Sequence, residues 1–209
     1  MIPLQFALRR RMMMAGGGGG APISDLPLGA LINVGTDGGA GTPNYEIADK
    51  DNFVSGGVVL VRKNIYSKSQ FGSTADYSKS VLDNLITNTI YNKMPQELRN
   101  EMMDVLLYRY PPTTRKMFGL IRTMASGDKL QLYTSNASRI KNFNGSADNW
   151  WIATPYDGER AWYVDKEGSV IYTYGWNTDK FGVVPAFAIP SETIYSVTPN
   201  TDGSYNLIL

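Results

Sequence analysis

The C-terminal third of the chain concentrates aromatic residues, glycine and proline into three phrases in a fixed order. They are Trp150-Trp151-Ile152-Ala153-Thr154-Pro155, then Ala161-Trp162-Tyr163-Val164-Asp165 with Gly168-Ser169-Val170 behind it, then Gly182-Val183-Val184-Pro185-Ala186-Phe187-Ala188-Ile189-Pro190. Large rings need facing layers, and glycine and proline dictate where a backbone can turn. The phrases therefore specify a particular turn-and-strand scaffold. Trp150 and Trp151 are adjacent, so on a strand they face opposite sides. One is expected to fill the core, and the other to lie under a loop or at the surface. Trp162 and Tyr163 repeat that logic.

Composition removes most chemistry. The 209 residues include no cysteine and no histidine. Disulfides, thiolate nucleophiles and zinc–thiolate sites are gone, and so is the commonest general base and transition-metal ligand. Neither enzymatic activity nor a cofactor is expected. The formal net charge of +1 makes no electrostatic case for nucleic acid or an anionic membrane. No apolar run is long enough to span a bilayer. With 13 tyrosines, 4 tryptophans and 21 glycines but only 19% charged residues, the chain suits a surface that binds by contact area.

Two pieces are expected. Residues 1–20 form an anchoring arm with a glycine hinge, and residues 21–209 a display domain. In the arm, Leu4, Phe6 and Leu8 precede Arg9, Arg10, Arg11 and Met12, and Gly16 to Gly20 follow unbroken. A secretory signal places its charges before its apolar stretch, the reverse of this order. A segment this apolar is not a solvated tail. An arm that buries itself in a partner accounts for both the apolar residues and the glycines.

Beyond the arm, strands are expected at Leu31–Val34, Tyr45–Asp49 and Val58–Arg62. A helix follows from Asp76 or Ser78 to about Tyr91, with Val81, Leu82, Leu85, Ile86 and Ile90 on one face. A second helix starts at Pro95 and carries Leu98, Met102, Val105 and Leu106. Lys116–Thr123, Lys129–Tyr133, Trp150–Thr154, Arg160–Val164, Val170–Tyr174, Val183–Ile189, Ile194–Val197 and Tyr205–Leu209 read as strands. Ser135–Ala147 reads as a polar loop, and Asp202-Gly203 as a hairpin turn. Two helices followed by many short strands indicate an α+β fold.

The three phrases, taken in order, resemble a family of unknown biochemical activity found in bacteriophage structural proteins and Firmicutes surface proteins. Its members read roughly Trp-Trp-Leu-Arg-Ser/Thr-Pro, then Ala-Trp-Tyr-Val, then Gly-Val-Arg-Pro-Ala-Phe. The resemblance implies a C-type-lectin-like domain, with two helices and a looped antiparallel sheet. The opening Gln5-Phe6-Ala7-Leu8-Arg9-Arg10-Arg11-Met12-Met13 also resembles leaders shared by phage proteins whose displayed domains differ. Two departures stand out. Ala153 and Val184 occupy positions where the family usually has arginine, and apolar packing is expected to replace that cationic pair.

What the resemblance implies is a virion structural protein, made in the host cytoplasm, that displays a lectin-like binding domain from a tail tip, fibre or capsid. Its partners would be other virion proteins through the arm, sister copies in the particle, and a host surface glycan or protein. A bacterial adhesin or carbohydrate-binding module is the alternative, distinguished by an export signal or anchor. Enzymes of the formylglycine-generating group share the fold but rely on cysteines. In lectin-like folds the ligand meets loops near the C-terminal strands, which map to Ser135–Asn149 and Tyr156–Arg160. Tyr172, Tyr174 and Trp176, spaced by two, would share one strand face. The expected binding residues are thus Tyr172, Tyr174, Trp176, Asn149 and Tyr156. Asp148-Asn149 carries oxygen ligands of the kind calcium uses, but a single pair is more simply a loop cap.

Overall fold

The computed structural model describes residues 19–107, 112–157 and 159–209. The arm residues Leu4, Phe6, Leu8, Arg9, Arg10, Arg11 and Met12 lie outside the described residues.

The fold is α+β, with many strands and few short helices. Strands β1 (Gly20–Pro22), β2 (Leu31–Asn33), β3 (Asn44–Lys50), β4 (Gly57–Arg62) and β5 (Lys68–Ser69) open the chain. Helix α1 runs through Val81–Asn84, a wide-turn π segment at Leu85–Ile90, and Tyr91–Lys93; α2 is Gln96–Glu101. Then come β6 (Val105–Leu107), β7 (Thr113–Arg115), β8 (Met117–Gly119), α3 (Arg122–Ala125) and α4 (Asn136–Arg139). Strands β9 (Lys141–Phe143), β10 (Ser146–Asp148), β11 (Trp150–Pro155), β12 (Ala161–Val164) and β13 (Val170–Thr173) follow. The chain closes with β14 (Phe181–Gly182), β15 (Pro185–Pro190), β16 (Ile194–Ser196) and β17 (Tyr205–Ile208).

Two sheets carry the architecture. The larger has eight strands in the order β1-β16-β17-β2-β3-β4-β15-β8. The smaller has five, in the order β13-β12-β11-β14-β5. Its central strands explain why the larger sheet is the core: β4 (Gly-Val-Val-Leu-Val-Arg) and most of β15 are buried on both faces. A continuous apolar run suits such a strand, where an alternating one would not. The first strand, β1, lies at the sheet edge beside β16, the last but one. Gly20 pairs with Ser196, and a side chain there would strike Ile194. The last of the five glycines is therefore a sheet residue, chosen for close approach.

The sheets meet at Gly119. Its N–H donates to the Tyr77 hydroxyl at 3.0 Å, and the Ala153 N–H donates to the Leu120 carbonyl at 2.8 Å. A Cβ on Gly119 would sit 3.0 Å from the Ala153 Cβ, so both residues must be small. Ala153 and Val184, where the resemblance led arginine to be expected, are both buried apolar residues of the core. Charge is not excluded from this interior, but it is paired. Glu46 accepts from the Tyr133 hydroxyl at 2.9 Å, pairs with Lys63 at 3.0 Å, and pairs with buried Lys141. Burial pushes the Glu46 carboxyl up, but the two lysines outweigh it and the net shift is downward. Arg62 clamps Asp37 through Nε at 2.6 Å and ties the preceding loop to β4.

Several expected elements shift. The first helix has two caps: Asp76 accepts from Ser78 N–H over a 3-10 turn, and Ser80 accepts from Asp83 N–H. The second helix stops at Glu101, and Val105–Leu107 is a strand, in which Val105 and Leu107 are buried while Leu106 is exposed. The apolar spacing from Leu98 to Leu106 suited a helix, but the burial pattern at its end has period two. Lys116–Thr123 splits into β8 and α3, and Lys129–Tyr133 is a turn that still buries Leu130 and Tyr133. The polar loop 135–147 holds α4, with a capping box at Ser135, and the β9–β10 hairpin. Trp150 and Trp151 do face opposite sides, yet both are buried.

Candidate functional site: an exposed arginine–tyrosine face

Strand β12 places Trp162 on one face of the five-stranded sheet and Tyr163 on the other. The register pairs Trp162 with Tyr172 and Tyr163 with Ile171. Tyr163 joins an interior aromatic cluster. Its ring lies 6.3 Å from Trp151 and 4.6 Å from Phe181. Phe71 meets Trp151 at 5.8 Å and stacks on Trp176 at 6.1 Å. Trp162 joins a different cluster, which is open to solvent.

That second cluster is built around the turn between β11 and β12. Asp157 Oδ1 accepts from the N–H groups of Glu159 and Arg160, each at 2.9 Å, which closes the turn. Its other oxygen accepts from Arg160 Nε at 2.7 Å and also pairs with Nη2. The fork is thereby fixed in orientation. The Arg160 guanidinium carbon sits 4.1 Å from the ring centre of Tyr156, 4.9 Å from Tyr172 and 5.1 Å from Tyr174. The rings also touch one another: Tyr156 lies 4.4 Å from Tyr172 and 5.3 Å from Trp162. Hydrogen bonding to Arg160 holds the Asp157 carboxyl below its ordinary range, and the same bonds raise the Arg160 pKa.

Arg122, the first residue of α3, completes one corner. Its N–H donates to Thr154 Oγ1 at 2.9 Å, and its guanidinium lies 4.4 Å above the Trp162 ring. No acidic side chain pairs with it among the described residues.

Three of the five expected binding residues come together here. Tyr156, Tyr172 and Tyr174 are 43%, 42% and 67% exposed. Trp176 does not join them. At 6% exposure it is a core residue beneath the opposite face. The spacing argument fails because β13 ends at Thr173. The Gly175–Asp179 turn follows, with Thr178 and Asp179 N–H both donating to the Gly175 carbonyl. That turn rotates Trp176 inward, where its carbonyl receives the N–H groups of Phe71 and Gly72. Asn149 is also elsewhere. It precedes β11 at the end opposite Tyr156, and its Oδ1 caps Lys166 N–H at 2.9 Å. Asp148 caps Asn149 N–H and pairs with Lys68, so this dipeptide closes loops. Among the described residues no group of three or more acidic side chains is placed to hold a metal.

Sequence reasoning placed Arg160 in a ligand-facing segment without giving it a role, and missed Arg122 and Trp162 as members of the face. Arg160 was legible in part, since Asp-Gly-Glu-Arg between two strands is a turn that aims its last side chain back over the sheet. Arg122 was not, because it arrives from another part of the chain. The face offers ring surfaces, phenolic hydroxyls and guanidinium N–H groups, which is contact and hydrogen-bond chemistry.

The family model for a Domain of unknown function (DUF6273) matches residues 55–191, and the chain belongs to that family. Both aromatic clusters fall within the match. No curated protein and no solved structure matches the chain. Among the described residues no helix is long and apolar enough to cross a membrane.

Proposed function

We propose that this DUF6273 member is a binding protein of a bacteriophage virion that meets its partner through the Tyr156–Tyr172–Tyr174 face. The observation that carries this reading is the state of those tyrosines. Large rings are held open to solvent, in a fixed arrangement, by an arginine that is itself locked to Asp157. Tyrosine, tryptophan and arginine dominate energetic hot spots, and rigid rings lose little entropy on binding.

The finer reading of the fold is a C-type-lectin-like domain. The pairing of the N-terminal strand β1 with the C-terminal strand β16 supports it, as do the two helices α1 and α2 placed between the opening strands and the later sheet. The attachment role of residues 1–18 rests on their apolar, arginine-rich sequence followed by glycines. Deleting residues 1–18 should leave a folded domain that no longer joins particles. Normal incorporation of the truncated chain would contradict the attachment role. The face is tested separately with Tyr174→Ala in full-length protein. Attachment to host cells should fall about tenfold or more, with the melting temperature nearly unchanged. Undiminished attachment would remove the face from the reading.

A further inference from the structure

We propose that the Arg122–Trp162 corner makes this face a site for acidic saccharides, in which Arg122 takes a sugar carboxylate while the tyrosine rings take the ring's apolar side. The inference rests on the face being the binding surface and assigns its ligand class. It starts from the inequality of the two arginines. The Arg160 guanidinium spends Nε and Nη2 on Asp157, and its Nη1 donates to the Tyr174 hydroxyl at 3.3 Å. It is neutralised and serves to hold the rings. Arg122 is exposed, carries the same charge, and pairs with no carboxylate among the described residues. Its contact with the Trp162 ring, 4.4 Å from guanidinium carbon to ring centre, holds the group at the face without using its N–H donors. A guanidinium held this way suits a planar anion bound by two parallel hydrogen bonds.

The rest of the face argues for a sugar over an acidic peptide. A peptide anchors through side chains in apolar sockets. Here the exposed surface beside Arg122 is built from the rings of Tyr156, Tyr172 and Tyr174, each of which also carries a hydroxyl. Pyranose rings present C–H patches bordered by hydroxyl groups, which match such a surface. A carboxylate on the sugar would supply the counter-charge that Arg122 has no partner for among the described residues, and Asp157 would not compete because Arg160 already holds it.

The test uses the full-length chain and oligomers of galacturonate and of glucuronate, each as the free acid and as its methyl ester. The ester keeps the ring and removes the charge. Titration is followed by tryptophan fluorescence, since Trp162 lies in the face while Trp150, Trp151 and Trp176 are buried. At least one free-acid oligomer should bind, and its ester should bind about tenfold or more weaker. Arg122→Gln should abolish the preference for acid over ester, and Arg122→Lys should restore only part of it. Tyr174→Ala should weaken both forms alike. Equal binding of acid and ester, or a preference that survives Arg122→Gln, would overturn the assignment. If Tyr174→Ala still weakens both forms in that case, the face remains a binding surface and only its ligand class is wrong. Binding of poly-glutamate as tight as the uronates and equally dependent on Arg122 would replace the saccharide with an acidic peptide. No binding of any uronate, with host attachment still lost in Tyr174→Ala, would also sink the saccharide while leaving the face.

Discussion

The five-stranded sheet carries aromatic clusters on both of its faces, and they differ in everything but composition. On one side Phe71, Trp151 and Trp176 pack edge-on and face-on in the core, with half-buried Tyr163 and Phe181 against them. On the other, Tyr156, Trp162, Tyr172 and Tyr174 pack just as closely but around a guanidinium, with solvent above. The inner cluster is held by neighbouring backbone and apolar side chains. The outer one is held by an ion pair and by cation–π contact. An aromatic cluster that burial does not stabilise needs another device to keep its shape, and Arg160 with Asp157 is that device. The difference separates residues that make the fold from residues that the fold presents.

Changing one cluster at a time should break that separation if it is wrong. The largest effect is expected from Trp176→Ala, which empties a buried site stacked on Phe71 and should cost about 3–5 kcal/mol of stability. Attachment per folded molecule should stay near wild type, as judged by chemical denaturation alongside a binding assay. Stability within about 0.5 kcal/mol of wild type would place Trp176 outside the core. Next comes Asp157→Asn, which removes the charge that orients Arg160. Attachment should fall several-fold while the inner cluster's near-ultraviolet circular dichroism is retained. Loss of both signals together would mean that the two clusters are one cooperative unit.

The smallest effect is expected from pH. The Asp157 carboxyl is held below its ordinary 3.8 by hydrogen bonds from Arg160, Glu159 and the Arg160 backbone. A depressed folded-state pKa contributes stability above the unfolded value and loses it as pH falls through the folded one. Binding should therefore weaken only below pH 3.8 and do so before Trp176 becomes exposed. Loss of binding that tracks loss of buried tryptophan emission would instead report global acid unfolding, to which Glu46 would contribute in the same direction.

Much of the sheet was readable because its residues obey local rules. Val58–Val61 is an unbroken β-branched and apolar run, and the structure buries it on both faces. The Trp150, Ala161 and Val170 segments fell where aromatic and β-branched residues lie between turn formers. The errors came where two periods overlap or where a strand stops. Leu98, Met102 and Val105 fit a helical stripe, yet the chain changes to a strand after Met102, and spacing alone holds no record of that change. Trp176 was misplaced for a related reason. Its spacing from Tyr174 is that of one strand face, but Gly175 begins a turn in which a side chain would collide with Asp179. Arg122 is the clearest limit. It reaches Trp162 across a separation of forty positions, through the Thr154 hydrogen bond between the end of β11 and the start of α3. Tertiary packing of that kind leaves no local pattern.

The most direct test of the two-cluster account is tyrosine nitration by tetranitromethane, mapped by mass spectrometry, on free protein and on protein bound to host cells. In free protein Tyr174 should react fastest, Tyr156 and Tyr172 next, and the fully buried Tyr45 and Tyr133 not at all. Binding should protect Tyr156, Tyr172 and Tyr174 together and leave the half-buried Tyr163 of the inner cluster unchanged. Equal nitration of Tyr174 in the free and bound states would contradict the claim that this face is where the protein meets its partner.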